Sequence, residues 1–143
     1  MTPYARALAR QSRTAKRTGL VAGMEVEGRM FEKLGAIFQR CRLLICPTLA
    51  VPSVRADLDP SSETVRINGK PRNAFFDVCM TWPFNMMSRC PVMSAPSGFA
   101  KSGLPTGLQI VGRPYDDVSV FRAAAAFETL HPLYDEPERR PKL

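Results

Sequence analysis

The sequence has no long apolar run that could cross a membrane. Its apolar stretches are short and are interrupted by Pro47, Pro52 or charged residues, whereas a membrane-spanning helix needs about 20 consecutive apolar residues. The arginines near the N-terminus are not followed by the apolar segment of a cleaved secretion signal. We therefore predict no membrane span and no membrane partner, and we predict a cytoplasmic location.

The spacing of a metal site is also missing. The four cysteines, Cys41, Cys46, Cys79 and Cys90, form no C-x-x-C pair, and His131 is the single histidine. A structural zinc site needs a full set of closely grouped thiolate or imidazole ligands. The sequence thus predicts no metal site and no cofactor, and it favours free, buried or half-buried thiols over disulfides.

Basic residues are concentrated at the N-terminal end of the chain. The 143 residues are 45% apolar, as expected for one globular domain with a core, and the net charge is +7. Residues 1–42 hold nine lysines and arginines against three glutamates. Helix propensity predicts a helix from Tyr4 to Arg17, within a basic N-terminal unit of residues 1–22.

One face of this predicted helix carries Arg6, Arg10, Arg13 and Arg17. Such a face fits either a polyanion-binding surface or a solvated helix surface. No aromatic residue stands between these arginines to stack on bases. The solvated surface is therefore favoured, and nucleic acid is disfavoured as a partner.

Periodicity and caps predict three further helices. The first runs from about Met24 to Phe38, after Thr18, Gly19 and Gly23, and has a buried stripe of Met30, Phe31, Leu34, Ile37 and Phe38. A short helix is predicted from Asn73 to Met80. The last runs from about Val118 to Leu130 behind a cap at Asp116 or Asp117, with Val120, Ala123, Ala124, Phe127 and Leu130 facing inward. The charged residues 132–143 predict a flexible tail.

Short apolar runs predict the strands. Leu43 to Cys46 reads as a strand ended by Pro47, and residues 48–63 read as a surface loop. Thr64 to Ile67 alternates and is followed by Asn68-Gly69, the strongest short signal for a hairpin turn.

The segment Pro91 to Gly112 predicts a second hairpin. Its two apolar runs, Val92 to Ala95 and Leu108 to Val111, have no helical period and are typical of strands buried on both faces. The residues between them include Pro96, Gly98, Gly103 and Pro105. These favour a reversing loop of about ten residues.

Segments in this order resemble the C-terminal part of the amidase signature family, serine hydrolases that cleave carboxylic amides. The matching segments are L-L-I-C-P-T (43–48), T-W-P-F-N-M-M-S-R-C-P (81–91), G-L-P-T-G-L-Q-I-V-G (103–112) and the helix pattern from Asp116 to Glu128. The resemblance covers roughly residues 20 to 130. It implies an α/β fold, with helices flanking a few strands of a partial mixed β-sheet, in a partial domain of residues 23–131.

The resemblance also places the family's catalytic lysine and serine-rich loop upstream of the matched part. This sequence has no Gly-Ser-Ser-Gly-Gly run, and its adjacent serines Ser61 and Ser62 have no neighbouring glycines. We therefore assign no catalytic residue. Ser97 and Lys101 are the candidate nucleophile and base, but the interpretation that both are solvated loop residues is favoured.

For the substrate pocket, the resemblance suggests Trp82, Phe84, Asn85 and Met86. The alternative is that Asn85 caps a helix and that Trp82 only fills the core. Both interpretations stay open from the sequence.

The sequence leaves three functions open. The leading one is a C-terminal fragment or truncated copy of an amidase-like hydrolase, inactive alone, whose family reaction converts an amide and water to a carboxylate and ammonia or an amine through an acyl-serine. The second is an interaction protein whose strands complete a sheet with a partner, either a chain carrying the missing catalytic region or another copy. The third is the polyanion-binding module. A small amide would be a substrate only of the completed molecule.

Overall fold

The computed structural model describes residues 2–13, 18–60 and 62–133. Arg17, Ser61 and residues 134–143 of the predicted tail lie outside the described residues. In chain order the elements are α1 (Pro3–Arg13), α2 (Thr18–Arg40), β1 (Leu43–Pro47), β2 (Thr64–Ile67), β3 (Lys70–Asn73), α3 (Trp82–Met86), β4 (Val92–Phe99), β5 (Pro105–Gly112) and α4 (Asp117–Leu130). Helices beside small sheets confirm the α/β class.

The main sheet has three strands in the order β1-β5-β4. Both pairings are antiparallel, with Leu44 opposite Val111 on one side of β5 and Val92 opposite Val111 on the other. No parallel strand of the predicted mixed sheet occurs within the described ranges. β5 is therefore the central strand, and β1 and β4 are its outer neighbours.

The predicted second hairpin is formed by β4 and β5, with longer strands and a shorter turn than expected. Pro96 and Pro105 lie inside the strands, so the expected loop of about ten residues is wrong in length. Proline fits there because a bulge follows Pro96 and because Pro105 is the first residue of its strand. Gly98 and Gly103 have φ angles of 126° and 79°, which glycine adopts without strain.

Burial differs between these two strands. Gln109, Ile110 and Val111 of β5 are fully buried, whereas Val92 of β4 is 40% exposed and only Ala95 of its predicted run is buried. Burial on both faces is thus right for β5 and wrong for β4. The physical reason is position, because β4 has a neighbouring strand on one side only among the described residues.

The hydrophobic core lies between α2 and β5. Leu34 and Phe38 of α2 pack with Met87, Cys90 and Val111. Phe31 and Ile37 of the predicted stripe are exposed, so only part of the stripe faces the core. Arg113, just after β5, donates from Nη2 to the carbonyl oxygens of Phe38 at 2.6 Å and Cys41 at 3.3 Å. A positive charge here donates hydrogen bonds at the C-terminal end of α2 and interacts favourably with the negative end of the helix dipole.

α2 begins earlier in the chain than the sequence led us to expect. The helix begins at Thr18 and includes Gly19 and Gly23, whereas we expected a break there and a start near Met24. Each glycine costs only about 1 kcal/mol in a helix. Adding residues to an existing helix costs less free energy than starting a new one, so the helix continues through these glycines.

Residues 73–80 also differ from the prediction: Asn73 ends β3, and turns, not a short helix, follow it up to a bridge at Cys79. The Asn73 side chain accepts hydrogen bonds from the backbone N–H groups of Phe75 and Phe76, both at 2.9 Å. Val78 and Met80 then bond to the backbone of residues 48–50, with a bridge between Leu49 and Cys79. These contacts use the backbone groups that a helix would need.

Two predictions from local signals are confirmed. β2 and β3 form a hairpin through Asn68 and Gly69, whose φ angles of 51° and 75° fit a type I′ turn. α4 begins behind Asp116, whose carboxylate accepts from the Ser119 N–H at 3.2 Å. This hydrogen bond lowers the pKa of Asp116.

The inward face predicted for α4 is wrong at its end, because Leu130 is 75% exposed.

None of the described helices is long and apolar enough to span a bilayer. Within the same residues, no cluster of histidine, cysteine or acidic side chains could hold a metal ion.

Replacing Gly112 by alanine is expected to lower the free energy of unfolding by about 1–3 kcal/mol. An added Cβ would lie 2.6 Å from Val120 Cγ2 and 3.0 Å from Pro91 Cγ, so β5 and α4 could not keep their spacing. Gly23→Ala is the matched control, because a Cβ there meets nothing within 4 Å. It should stabilise α2 by about 0.5–1 kcal/mol. Urea denaturation measures both, and equal stability of Gly112→Ala and the parent would contradict the packing described.

Candidate functional site

An apolar cavity of about 530 Å³ lies beside α3. Three of the four predicted pocket residues line it, namely Trp82, Phe84 and Met86. The remaining wall comes from other parts of the chain: Met30, Leu44, Cys46, Phe76, Cys79, Met80 and Pro83. The structure therefore brings α2, β1 and α3 together around one apolar space.

The sequence around Pro83 explains why a helix forms at this wall. Pro83 occupies the first turn of α3, where a missing N–H costs nothing and the fixed φ suits a helix. The N–H groups of Phe84 and Asn85 both donate to Thr81 O at 3.1 Å. Thr81 is the N-cap, so the alternative in which Asn85 caps a helix is wrong. Asn85 is exposed and does not line the cavity.

Trp82 is held by an aromatic cluster at the mouth of the cavity. Its ring lies 5.1 Å from that of Phe75 in an edge-to-face arrangement and 6.4 Å from that of Phe76. Trp82 remains 36% exposed. It therefore packs against neighbouring rings and lines the cavity, so it does not only fill the core, and its role in substrate binding stays a prediction.

Gln109 fixes the backbone behind the cavity. Its Nε2 donates to Pro47 O and to Met80 O, both at 3.0 Å. The sequence analysis used Gln109 only as part of a motif and gave it no role. A polar residue within the buried run Leu108 to Val111 was the available signal, because buried amides need hydrogen-bond partners.

All four cysteines are free thiols, and all but the exposed Cys41 are buried or half-buried as predicted. Cys46 and Cys79 line the cavity, Cys90 lies in the core, and Cys41 is exposed. Burial raises the pKa of Cys46. Burial alone raises the pKa of Cys90.

Neither serine that the sequence singled out as a candidate nucleophile is paired with a base. Ser97 Oγ is 2.9 Å from Thr106 Oγ1 and has no hydrogen bond to Lys101, which is exposed in the hairpin turn. Ser62 donates to Asp59 Oδ2 at 2.9 Å in an exposed loop. The backbone N–H groups of Asp59, Ser62 and Glu63 are all bonded within that loop. None of them is left to stabilise an oxyanion.

A sequence profile of the family described as Amidase matches residues 4–121. The chain belongs to the amidase family. This confirms the resemblance inferred from the motifs, and it places β1, α3, the β4-β5 hairpin and the first part of α4 within the matched region.

Several curated amidase relatives show the same similarity. The chain is 36% identical over 97 residues to a glutamyl-tRNA(Gln) amidotransferase subunit of Myxococcus xanthus, covering 68% of this chain and 18% of the relative. It is 31% identical over 121 residues to fatty acid amide hydrolase of Medicago truncatula, covering 85% and 19%. With the acylamidase of Rhodococcus erythropolis the identity is 32% over 109 residues, covering 76% and 22%. The chain thus spans about a fifth of the length of these relatives.

Solved structures agree with the amidase assignment. A bacterial aryl acylamidase of the amidase signature enzymes superposes with a TM-score of 0.78 at 30% identity, covering 99% of this chain and 29% of that chain. A structure from work on a vestigial protein complex and the origins of an s-triazine catabolic enzyme gives 0.66 at 17% identity, covering 85% and 26%. The second likeness supports the fold alone.

The four thiols should react with iodoacetamide at different rates. At pH 8 we expect Cys46 and Cys90 to react on the order of tenfold more slowly than Cys41, because burial limits access and a raised pKa leaves less thiolate. Peptide mass spectrometry gives the rate at each site, and a denatured sample is the control in which the rates converge. Equal rates in the folded protein would contradict the described burial.

Proposed function

We propose that this chain supplies the acyl-binding wall of an amidase-family hydrolase and is inactive alone. The reaction is hydrolysis of a carboxylic amide to a carboxylate and ammonia or an amine through an acyl-serine. The observation that carries the proposal is the apolar cavity at α3, and the candidate serines Ser97 and Ser62 have no base beside them. We place the protein in the cytoplasm.

The cavity has the size and lining expected of a pocket for an apolar acyl or aryl group. Its volume of about 530 Å³ falls within the usual range of about 300–1,000 Å³ for ligand pockets. Trp82 and Phe84 offer ring surfaces, and Met86 offers a flexible thioether that adapts to irregular shapes. Asn85 is the proposed fourth contact, on the exposed side of α3, where a completing segment would bring the substrate to it.

The outer strands support completion by a further segment. β1 and β4 each have one neighbouring strand among the described residues, and Ile45 on β1 is 57% exposed. A strand edge beside apolar side chains recruits a pairing partner. The segment that carries the lysine and the serine-rich loop is the partner that the proposed reaction requires. The M. xanthus relative is by its name one subunit of an amidotransferase, which fits work in an assembly.

The two alternatives remain predictions. Pairing between copies of the chain would use the same strand edges. Polyanion binding has support from the exposed Arg6, Arg10 and Arg13 of α1, while Arg17 lies outside the described residues.

Occupation of the cavity is directly measurable, because Trp82 is the sole tryptophan. A straight-chain acyl anilide should change Trp82 fluorescence saturably and protect Cys79, but not Cys41, from alkylation. Phe84→Ala should weaken binding about tenfold, since it removes an apolar ring from the wall. Phe121→Ala is the matched control, because Phe121 is exposed on α4 and does not line the cavity. Equal affinities of the two variants would place the ligand elsewhere.

Hydrolysis should depend on a second segment. The purified chain is expected to leave an acyl p-nitroanilide intact, as read from the yellow product. Hydrolysis should appear when the R. erythropolis acylamidase, truncated before the matched part, is added. Ser97→Ala should leave this reconstituted rate unchanged. Hydrolysis by the chain alone that is lost in Ser97→Ala or Lys101→Ala would show that the nucleophile lies within this chain.

A further inference from the structure

Gln109 is the fully buried polar side chain of the described core. It lies in the middle of β5, between Leu108 and Ile110, and it makes no contact with solvent. Its two hydrogen bonds reach carbonyl groups 62 and 29 positions away in the sequence. One belongs to Pro47 at the end of β1, and the other belongs to Met80, just before α3.

The two contacted segments are also bonded to each other. Met80 N donates to Thr48 O and Ala50 N donates to Val78 O, both at 2.9 Å. Thr48 is fixed to β5 through its N–H and its hydroxyl, both donating to Gly107 O at 3.1 Å. Residues 47–50 thus continue the β1 edge beside β5, residues 78–80 bond to them, and the Gln109 side chain donates to both segments.

The geometry fixes the orientation of the amide. Both contacted groups are carbonyl oxygens, so the NH2 side of Gln109 faces them, and its buried Oε1 has no hydrogen-bond partner among the described residues. An apolar side chain of the same volume would fill the space but would leave both carbonyls without this donor. After such a change the core would stay filled, but the Met80 carbonyl would lose the hydrogen bond that orients it.

We propose that Gln109 is a positioning residue that sets where the α3 wall of the cavity stands and thereby the length of the acyl group it accepts. This rests on the proposed function of the cavity as the acyl site. Met80 and Trp82 both line the cavity, and α3 begins two positions after the bonded carbonyl. A fixed Met80 carbonyl therefore fixes where the α3 wall starts, although Gln109 itself does not line the cavity.

The test compares Gln109→Met, which keeps the volume and removes the donors, with Val120→Ala. Val120 is buried on α4 and does not line the cavity, so its loss lowers stability without touching the α3 wall. Three readouts are taken: Trp82 emission without ligand, the alkylation rate of Cys79, and the affinities of straight-chain acyl anilides of increasing length. Circular dichroism verifies that each variant is folded.

In the parent, affinity should rise about fourfold per methylene until the acyl chain fills the cavity, and then fall. In Gln109→Met we expect red-shifted Trp82 emission, faster Cys79 alkylation and a drop on the order of tenfold in discrimination against overlong chains. Val120→Ala should match the parent in all three. Unchanged emission and Cys79 reactivity in Gln109→Met would overturn the proposal, and so would an unchanged length preference.

Gln109→Glu provides a second, independent test. At pH 8 its carboxylate would face two carbonyl oxygens and repel them, whereas a protonated carboxyl has one O–H to donate. The parental length preference should be lost at pH 8 and partly restored at pH 5, while the parent stays constant. The titratable side chain opposite Gln109 in the β1-β5 pairing is Cys46, whose pKa is raised by burial. Loss of the length preference at both pH values in a folded variant would contradict the positioning role, whereas its retention at both would mean that burial keeps the carboxyl protonated and donating.

These readouts separate the two proposals. If the parent binds no acyl anilide, the proposed function fails and the length selectivity fails with it. The emission of Trp82 and the reactivity of Cys79 in the absence of ligand still decide whether Gln109 holds α3.

Discussion

The burial of β5 on both faces is the constraint on which the rest of the structure depends. Every part that approaches the candidate site is attached to this strand. Gly107 accepts the bonds of Thr48, Gln109 holds Met80, and Val111 lies in the core with α2. Gly112 lets α4 approach, because any larger residue would meet Val120. A strand with side chains packed above and below cannot shift register without disturbing both layers, so the site inherits its geometry from β5.

Features that depend on neighbouring residues were predictable from the sequence. Asn68-Gly69 predicted one turn, and Asp116 predicted the start of α4. The apolar runs around Gly98 and Gly103 predicted the β4-β5 hairpin. Predictions failed where distant contacts compete with local preference. Residues 73–80 have a helical pattern, but their backbone groups bond instead to residues 48–50. The exposure of β4 likewise depends on which strands lie beside it, and the residues of β4 alone do not predict its neighbouring strands.

The candidate site shows the same division. Trp82, Phe84 and Met86 came from a motif, and all three line one cavity. Asn85 belongs to the same motif, yet it does not line the cavity. Gln109 was missed because its role rests on two contacts across 62 and 29 positions. Only the assembled sheet makes those contacts visible.

The chemistry of the lining suggests a division of labour within the site. Aromatic and methionine side chains form walls that adapt to different apolar groups, so they alone would select poorly by length. A directional amide in a fully buried strand behaves differently, because its two hydrogen bonds hold backbone atoms at fixed distances. Under the proposed function, a wall whose position is set through Gln109 and whose side chains adapt would select an acyl group by size and not by detailed shape. Selection and bond cleavage would then depend on different groups, because the proposal requires no group of the cavity lining to react.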